Sequence, residues 1–409
     1  MKPILRTLKK YPRLFKFTKK IITNTKRFIY KYFKIFVRVD KQMVIFDSFL
    51  GKSYACNPMA IYEEMISDED FDEWKFVWIM RKPSRLKLEK EQVVRYNSIQ
   101  HYYYLAKSKY WVFNSKMPAY MDKKKNQVYL QTWHGTPLKK LARDIEISDD
   151  ATFYRTKMSR EEMINTYDVD VKKYNYLISP NAYSTEKFIS AFGVEPEKVI
   201  ETGYPRNDVL VNYTQKQIED IKYRLGINKN KKVILYAPTW RDNIYDTKGY
   251  SFTPKVDFSK WKEELGEDYI VIYKPHYLIV NKITDESLED FIYFSKATDN
   301  INDLYLVSDI LITDYSSVFF DYAVLKRPML FYMFDLKEYA DDIRGFYIDI
   351  NELPGPIVEE EDLLLKDIKN IGSIENQYKE KYNKFFKEIC YLEDGHASER
   401  VIDIVFKKK

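Results

Sequence analysis

From residue 43 onward, short apolar segments alternate with segments of helical character, and this alternation most narrows the folds open to the chain. The apolar segments are mostly continuous, as strands buried on both faces of a parallel sheet are. They cover residues 43–49, 75–80, 110–113, 128–133, 174–179, 233–237, 269–274, 309–313 and 329–333. Helical patterns lie between them, for example at residues 58–65, 182–192, 215–225 and 316–325. The alternation predicts an α/β fold built from βαβ units.

The chain of 409 residues is long enough for two domains, and a polar, lysine-rich stretch near residues 205–230 predicts where they join. We expect a basic arm over residues 1–40, Rossmann-like domains over 41–210 and 211–385, and a terminal helix over 386–409. Two such domains would face a cleft. Because ligands of open parallel sheets bind beyond the carboxyl ends of the strands, residues directly after predicted strands are the functional candidates.

Four polar clusters follow predicted strands. One contains His134, Gly135 and Thr136, where Thr136 is a candidate N-cap and Pro137 suits the first helical position, so a helix is predicted to begin there. The others contain Lys274 with His276, Thr239 with Arg241, and Asp314 with Ser316 and Ser317. Imidazoles, cations and hydroxyls near a helix start can bind negative oxygens and supply a base near neutral pH. The clusters therefore predict phosphoryl transfer or diphosphate binding.

The sequence disfavours several other ligands. Gly51-Lys52-Ser53 has the form of a P-loop end, but Phe46 stands where the first glycine is needed, and no GxGxxG motif follows a predicted strand. No His or Cys spacing typical of a metal site is present, and two cysteines cannot build a disulfide framework. We therefore expect no metal, no organic cofactor and a reducing compartment.

The N-terminal arm is strongly basic. Thirteen lysines and arginines precede the first acidic residue, Asp40, although the whole chain has a net charge of only +6. Apolar residues recur at helical spacing at positions 4, 8, 11, 15, 22, 29, 33 and 36, and Pro12 is expected to kink or divide the helix. A helix that is apolar on one side and cationic on the other is typical of a membrane interface.

Each cation near an anionic leaflet contributes ~1 kcal/mol of binding free energy. The residues expected to contact an anionic membrane surface are Lys9, Lys10, Arg13, Lys16, Lys19, Lys20, Lys26 and Arg27. Two alternatives stay open for the arm: a helix packed on its own domain with a solvated cationic side, and a nucleic-acid-binding arm. The absence of acidic residues argues against the first of these, because solvated helix faces usually mix both signs.

Five motifs, in this order, resemble the CDP-glycerol:glycerophosphotransferase family of teichoic acid synthesis. They lie at residues 133–139, 203–208, 236–241, 274–276 and 313–321. That family is similar in fold to two-domain GT-B glycosyltransferases. The resemblance implies that the chain transfers glycerol phosphate from CDP-glycerol to a hydroxyl of a polyprenyl-diphosphate-linked acceptor and releases CMP. It also implies a peripheral protein on the cytoplasmic face of the membrane, with no nucleic acid as partner.

The resemblance also implies roles for single residues. His134, from the N-terminal half, would be the general base on the acceptor hydroxyl, and His276 would stabilise the leaving phosphate. In the C-terminal half, Ser316 and Ser317 would bind the donor diphosphate, and Asp321 would accept hydrogen bonds from the ribose. The further donor-side candidates are Arg241, Thr239 and Lys274, and Asp314 is expected to cap the helix that Ser316 and Ser317 open. Arg206 is a further candidate for direct contact, grouped with Gly135 and Thr136.

Three alternatives remain. Family members that transfer ribitol phosphate share these motifs, so CDP-ribitol is the nearest alternative donor. A GT-B hexosyltransferase using a nucleotide sugar fits the architecture, but fits the His-Gly-Thr-Pro cluster less well. A non-catalytic protein that binds a membrane or nucleic acid through its arm is the third. Polymerising members often carry a large extra N-terminal domain, and its absence from this sequence favours a priming or short-chain transferase.

Overall fold

The computed structural model of the chain describes residues 11–88, 92–146, 158–239, 245–246, 249–250, 255–275, 286–296, 298–337 and 345–407. These residues form two main parallel β-sheets with helices between the strands. The predicted α/β class, with two parallel sheets of the GT-B-like kind, is confirmed. The structure also contains a helix in the N-terminal arm.

The first sheet has seven strands in the order β3-β2-β1-β4-β5-β6-β7. The pairs from β3 through β6 are parallel. The strands are β1 Asp40–Asp47, β2 Lys75–Met80, β3 Gln92–Arg95, β4 Ser108–Phe113, β5 Val128–Gln131, β6 Tyr176–Ser179 and β7 Val199–Glu201. Because β1 lies inside the sheet, between β2 and β4, its last five residues are buried, as the continuous apolar pattern predicts.

The second sheet has six strands in the order β12-β11-β8-β13-β14-β15, and all of its pairs are parallel. These strands are β8 Lys232–Ala237, β11 Tyr269–Tyr273, β12 Ile292–Phe294, β13 Ile310–Thr313, β14 Met329–Tyr332 and β15 Ile357–Val358; a separate hairpin joins β9 Tyr245–Asp246 to β10 Gly249–Tyr250. Alternate residues of β8 enter different apolar clusters, with Val233 and Leu235 in one and Ile234 and Tyr236 in the other. Both faces of this sheet are therefore packed.

Twelve α-helices lie in the described part of the chain. They are α1 Pro12–Phe36, α2 Cys56–Ser67, α3 Ile99–Lys107, α4 Arg160–Val171, α5 Ala182–Phe192, α6 Gln215–Leu225, α7 Phe258–Leu265, α8 Ile301–Val307, α9 Val318–Tyr322, α10 Glu361–Lys369, α11 Ile371–Ile389 and α12 Ala397–Ile402. A 3₁₀ helix spans Pro205–Leu210, and a π-helical turn at Asp403–Lys407 follows α12. Of these helices, none is long and apolar enough to cross a membrane.

The chain contacts divide the molecule into two compact units. Unit 1 contains Met1–Trp133 and Val169–Leu177, and unit 2 contains His134–Asp168 and Ile178–Lys409. His134, predicted to act from the N-terminal half, is thus the first residue of a segment that belongs to unit 2. The domain limits predicted at residues 40, 210 and 385 stay a prediction.

Helix α1 packs on α3 within unit 1. The Tyr30 ring is 1% exposed, and its hydroxyl donates a 2.7 Å hydrogen bond to the Asp122 carbonyl. Phe33 makes an edge-to-face contact with Tyr103, with ring centroids 5.9 Å apart. Pro12 is the first residue of α1, where its missing N–H costs nothing, so α1 contains no proline kink.

The structure shows apolar side chains on two sides of α1, whereas the sequence analysis predicted one apolar stripe. Phe15, Ile22, Ile29 and Phe33, which the sequence analysis placed on the apolar stripe, are half-buried. Tyr11 and Phe36 of that stripe are exposed, and so is a second set of large apolar side chains: Leu14, Phe17, Ile21, Phe28, Tyr32 and Ile35. Helix α1 therefore has two apolar faces, and the half-buried face is the one that packs on the rest of unit 1.

Gly203, in the second of the five motifs, is a position where a side chain would be unfavourable for two reasons. Its φ is +77°, and an added Cβ would lie 2.7 Å from the Leu392 carbonyl oxygen. Gly226 has a similar φ of +70° with no atom within 4 Å of its Cβ position.

We expect Gly226→Ala to lower the free energy of unfolding by about 1 kcal/mol, the cost of the left-handed backbone alone. Gly203→Ala should cost a further ~1–3 kcal/mol from crowding, measured by urea unfolding. Equal losses in the two variants would contradict this explanation.

Candidate functional site

Three neighbouring strands of the second sheet end in polar residues. Strands β11, β8 and β13 are adjacent and parallel, so their carboxyl ends lie at the same edge. Lys274 follows β11, Thr239 lies two residues beyond β8, and Asp314 follows β13. The structure therefore brings together residues that the sequence placed in three separate clusters.

Asp314 ties two of these strand ends together. Its Oδ1 atom accepts hydrogen bonds from the backbone N–H of Thr239 at 2.8 Å and of Tyr315 at 2.7 Å, and its side chain is buried. The Thr313 hydroxyl adds a 2.8 Å hydrogen bond to the Ala237 carbonyl. Asp314 therefore holds the turn that leads to Ser316 and Ser317, and it also holds the loop after β8.

Lys274 supplies a partly buried cation at this edge. Its backbone N–H donates a 2.9 Å hydrogen bond to the Tyr236 carbonyl, which fixes the start of the loop after β11. Burial lowers the pKa of the Lys274 ammonium, and the carboxylate of Asp299 partly opposes this shift. A cation that has lost part of its hydration gains more from an anionic ligand than a solvated one does.

Ser316 and Ser317 precede α9, which is shorter than the predicted helix over residues 316–325. Helix α9 covers Val318–Tyr322, and a 3₁₀ turn at Ala323–Leu325 completes the segment. Both serines are half-buried, and Ser317 is the N-cap residue by position, but its hydroxyl makes no cap hydrogen bond. The Ser317 hydroxyl therefore does not serve to cap the helix.

The turn before His134 is held by buried amide side chains. Trp133 has a φ of +50°, an uncommon value for a bulky residue. Its N–H donates to Gln131 Oε1 at 3.1 Å, and its carbonyl accepts a hydrogen bond from Asn57 Nδ2 at 3.3 Å. Asn57 also donates to the Thr132 carbonyl at 2.9 Å. Strained backbone that is held in this way is often found at functional sites, and here it leads directly into His134, whose side chain is exposed.

The helix predicted to begin at Thr136 and Pro137 is absent, and that prediction is wrong. The Leu138 carbonyl instead accepts a 2.9 Å hydrogen bond from the Tyr347 N–H, and the Lys140 N–H donates to the Gly345 carbonyl at 2.7 Å. This antiparallel bridge uses the backbone groups that a helix would need, and Leu138 is buried in the core beside the second sheet. Thr136 is buried and caps no helix.

Within unit 2, Gly135 brings the His134 turn against the Ser317 turn. A Cβ atom at Gly135 would lie 3.5 Å from Ser317 Oγ. The residue after His134 is therefore in van der Waals reach of a hydroxyl predicted to bind the donor. Two of the four polar clusters meet at this point.

Arg206 and Asp321 form a buried ion pair. Arg206 Nη2 lies 2.8 Å from Asp321 Oδ1, and the two side chains are 6% and 11% exposed. The Arg206 guanidinium also lies 4.2 Å from the centroid of the Tyr204 ring. Asp321 was predicted to bind the donor and Arg206 was a separate site candidate, and the structure places them in contact with each other.

Glu393 is a buried carboxyl near this ion pair. Its Oε1 accepts a 3.1 Å hydrogen bond from the Tyr204 N–H, and burial raises the pKa of Glu393 to about 8. Because an unfolded glutamate titrates near 4.5, the folded state binds the extra proton between about pH 4.5 and 8. This contribution to stability is complete below pH 4.5 and is lost as the pH rises through 8.

We therefore expect Glu393→Gln to flatten the pH dependence of the free energy of unfolding between pH 5 and 8. The slope that is removed should approach 1.4 kcal/mol per pH unit. Urea unfolding at four pH values measures it, with the exposed Glu388→Gln as the control. An unchanged slope in Glu393→Gln would show that Glu393 is ionised in the folded protein.

Several predicted site residues lie outside the described residues. They are His276, Arg241, Lys9 and Lys10. Sequence reasoning missed Asn57 and the residues 345–347 that hold the His134 segment, because they act through contacts that are distant along the chain. It also missed Gln131, whose contact with the Trp133 N–H is local. Among the described residues, no group of three His, Cys, Asp or Glu side chains is arranged to hold a metal ion.

Proteins of teichoic acid synthesis match the chain along most of its length. A teichoic acid poly(glycerol phosphate) polymerase of Bacillus subtilis is 42% identical over 408 residues, which cover 98% of this chain and 53% of that protein. A teichoic acid glycerol-phosphate transferase of Staphylococcus aureus is 39% identical over 400 residues, covering 95% of this chain and 98% of that one. A teichoic acid poly(ribitol-phosphate) polymerase of Bacillus spizizenii is more distant, at 30% identity over 403 residues. The chain thus spans about half the length of the B. subtilis relative and nearly all of the S. aureus one.

The fold has a close solved counterpart. A structure of the wall teichoic acid polymerase TagF, a histidine-to-asparagine variant soaked with CDPG, superposes with a TM-score of 0.87 at 36% sequence identity and covers 98% of both chains. The family model described as CDP-Glycerol:Poly(glycerophosphate) glycerophosphotransferase matches residues 29–407, a range that contains all five motifs and both sheets. The chain therefore belongs to the CDP-glycerol:poly(glycerophosphate) glycerophosphotransferase family.

Proposed function

We propose that the chain transfers glycerol phosphate from CDP-glycerol to a hydroxyl of a lipid-linked teichoic acid, or of a related polymer, and releases CMP. The observation that carries the proposal is the contact between the His134-Gly135 turn and the Ser317 turn at the polar edge of the second sheet. Family membership supplies the substrate class, and this edge supplies the groups that such a substrate needs. The acceptor would carry a polyprenyl diphosphate anchor.

The proposed reaction forms one bond and breaks one. The acceptor hydroxyl oxygen attacks the phosphorus that bears glycerol, and the bond from this phosphorus to the bridging oxygen of the diphosphate breaks. CMP leaves with that oxygen, and the product is a phosphodiester. His134 takes the proton of the attacking hydroxyl, as a neutral imidazole can near pH 7. The exposure of the His134 side chain, and the approach of the next residue, Gly135, to Ser317, support this role.

The donor diphosphate would bind at the carboxyl ends of β11, β8 and β13. The Ser316 and Ser317 hydroxyls would donate hydrogen bonds to its oxygens, and the Lys274 ammonium would oppose its charge. Asp314 would act indirectly, because its carboxylate accepts the N–H groups that shape these loops. Thr239, Arg241 and His276 complete the proposed donor site, with His276 on the leaving phosphate.

A glycerol donor is favoured over a ribitol donor. The relatives named for glycerol phosphate are 39% and 42% identical to the chain, whereas the ribitol-phosphate polymerase is 30% identical over a similar length.

The acceptor is proposed to bind within residues 41–210 and the donor within residues 211–385. In the terminal segment 386–409, the backbone N–H groups of Ala397 and Ser398 donate hydrogen bonds to the Asp208 carboxylate.

The arm is proposed to hold the protein on an anionic membrane surface, at the cytoplasmic face. The support comes from the exposed side of α1. Its large apolar side chains include Phe17 at 62% and Phe28 at 73% exposure, and the exposed basic side chains of α1 include Arg13, Lys16, Lys19, Lys20 and Arg27, whereas Lys26 is half-buried. A helix with an exposed apolar face, exposed cations and no acidic residue suits an anionic lipid interface, where an acceptor with a lipid anchor would be found.

A donor comparison tests the proposed function. The purified chain is given CDP-glycerol or CDP-ribitol together with prenyl-linked acceptors that carry no, one or several polyol phosphates. We expect turnover with CDP-glycerol that requires the acceptor and exceeds turnover with CDP-ribitol. A preference for CDP-ribitol would show that ribitol phosphate, and not glycerol phosphate, is the group transferred. Turnover of UDP-sugars instead would move the chain to hexosyl transfer, and no turnover with any donor would contradict an enzymatic role.

A further inference from the structure

The ion pair between Arg206 and Asp321 lies one helical turn beyond the proposed donor site. Asp321 is four residues after Ser317, and the Phe320 N–H donates a 3.2 Å hydrogen bond to the Ser317 carbonyl, so the two ends of this turn move together. Asp321 is the last but one residue of α9, and Arg206 lies in the 3₁₀ helix Pro205–Leu210. A contact at Asp321 therefore sets the position of Ser317.

The Asp321 carboxylate has its acceptor capacity filled by protein groups. Oδ1 accepts from Arg206 Nη2 at 2.8 Å and from Asn207 Nδ2 at 3.2 Å. Oδ2 accepts from Arg206 Nε at 3.2 Å and from Nη2 at 3.0 Å. A carboxylate offers about four acceptor positions, and all of them have partners here. This arrangement differs from the ribose contact that the family resemblance implies for Asp321.

Arg206 is itself held from two further sides. Asn302, on α8, donates a hydrogen bond from Nδ2 to the Arg206 carbonyl, and the Tyr204 ring lies under the guanidinium. The pair thus connects the 3₁₀ helix, α8 and α9. A planar guanidinium bound through two of its nitrogens fixes the direction of its partner more strictly than an ammonium does.

We propose that Arg206 and Asp321 are positioning residues, which hold the Ser316–Ser317 turn in the geometry that the donor diphosphate requires. This inference rests on the proposed function. A small displacement of binding groups is enough to weaken a diphosphate contact, although no atom of the pair touches the substrate. Asp321 then acts on all donors of this class equally, whatever hydroxyls their ribose carries.

The test compares Asp321→Asn and Arg206→Lys with the wild-type chain on three donors: CDP-glycerol and its 2′-deoxyribose and 3′-deoxyribose analogues. We expect KM to rise about tenfold in both variants while kcat stays within about threefold, because the binding lost is common to ground and transition states. The factor should be the same for all three donors. The wild-type enzyme provides the reference for each analogue.

A matched control is available in unit 1. Asp170 forms a buried ion pair with Lys173, whose side chains are 1% and 5% exposed, and Asp170→Asn removes a charge from a comparable setting. This variant should lose stability without a change in the KM for the donor. If Asp321→Asn does not fold, Asn302→Ala, which removes the amide contact to the Arg206 carbonyl, is measured with the same donors and judged in the same way.

Two results would overturn the inference. If the penalty of Asp321→Asn disappears with one deoxyribose donor, Asp321 contacts that hydroxyl and is a donor-binding residue. If Asp321→Asn melts at a lower temperature but keeps the wild-type KM, as Asp170→Asn should, the pair is structural only. Absence of turnover by the wild-type chain is a separate outcome, which contradicts the proposed function on which the inference rests.

Discussion

Replacing His134 by alanine is expected to lower turnover of CDP-glycerol at least ~100-fold, the usual scale for the loss of a general base. The reason is that the attacking hydroxyl then has no group to accept its proton as the bond to phosphorus forms. Donor binding should change little, because His134 is assigned to the acceptor oxygen and not to the diphosphate. Steady-state kinetics give kcat, and equilibrium binding of CDP-glycerol gives the affinity.

His396→Ala is the matched control for this experiment. His396 is exposed at the start of α12 and pairs with Glu399, and no predicted site residue contacts it among the described residues. This variant should retain wild-type turnover. If His134→Ala instead weakens donor binding as strongly as it lowers kcat, His134 binds the donor and is not the base.

The second large effect is expected on the membrane. Replacing Phe17, Ile21 and Phe28 by serine should weaken binding to anionic vesicles ~100-fold or more, because each buried apolar side chain contributes about 1.5–3 kcal/mol when fully removed from water. These side chains are 50–73% exposed, so their replacement should leave the packing of α1 on α3 intact. Vesicle sedimentation at low and high salt separates the apolar contribution from the charge contribution, since only the latter is screened.

The control for this prediction replaces other exposed apolar residues. Ile66, Val211 and Tyr223 are 40–89% exposed and lie outside the arm. Their replacement by serine should leave vesicle binding unchanged, and an equal loss in both triple variants would contradict a role for this face of α1. Deleting residues 1–38 would be a less clean test, because it would also remove Tyr30, which is buried against unit 1.

The strands of both sheets were predictable from the sequence where they are buried on both faces. Strands β2, β4, β8 and β13 lie where continuous apolar segments predict them, because central strands carry that pattern along most of their length. The short strands β3, β7, β12 and β15 were not predicted. Each lies at or near a sheet edge and contains two to four residues, too few for a period to be recognised.

The site shows where local signals fail. Thr136 and Pro137 have the pattern of a helix start, but the backbone around Leu138 pairs with residues 345–347, some 200 positions along the chain. No local signal reports such a partner. The same is true of Asp321. The sequence shows a carboxylate one turn after Ser317, but it does not show that Arg206 forms an ion pair with this carboxylate.

The arm illustrates a different limit. Helical spacing correctly predicted a helix in the arm, but α1 has apolar residues on more than one side, and periodicity alone does not tell which side packs on protein. The stripe at Phe15, Ile22, Ile29 and Phe33 was predicted, and the structure adds that these four side chains are half-buried. The exposed set that includes Phe17 and Phe28 is the one available to a membrane.

The identity of the released nucleotide tests the central claim most directly. The purified chain is incubated with CDP-glycerol and a prenyl-linked acceptor, and the nucleotide products are separated and quantified. Attack on the phosphorus that bears glycerol predicts CMP, formed in a one-to-one ratio with glycerol phosphate added to the acceptor. Release of CDP would mean that the bond to the glycerol carbon breaks, and this result would contradict phosphodiester formation by this enzyme.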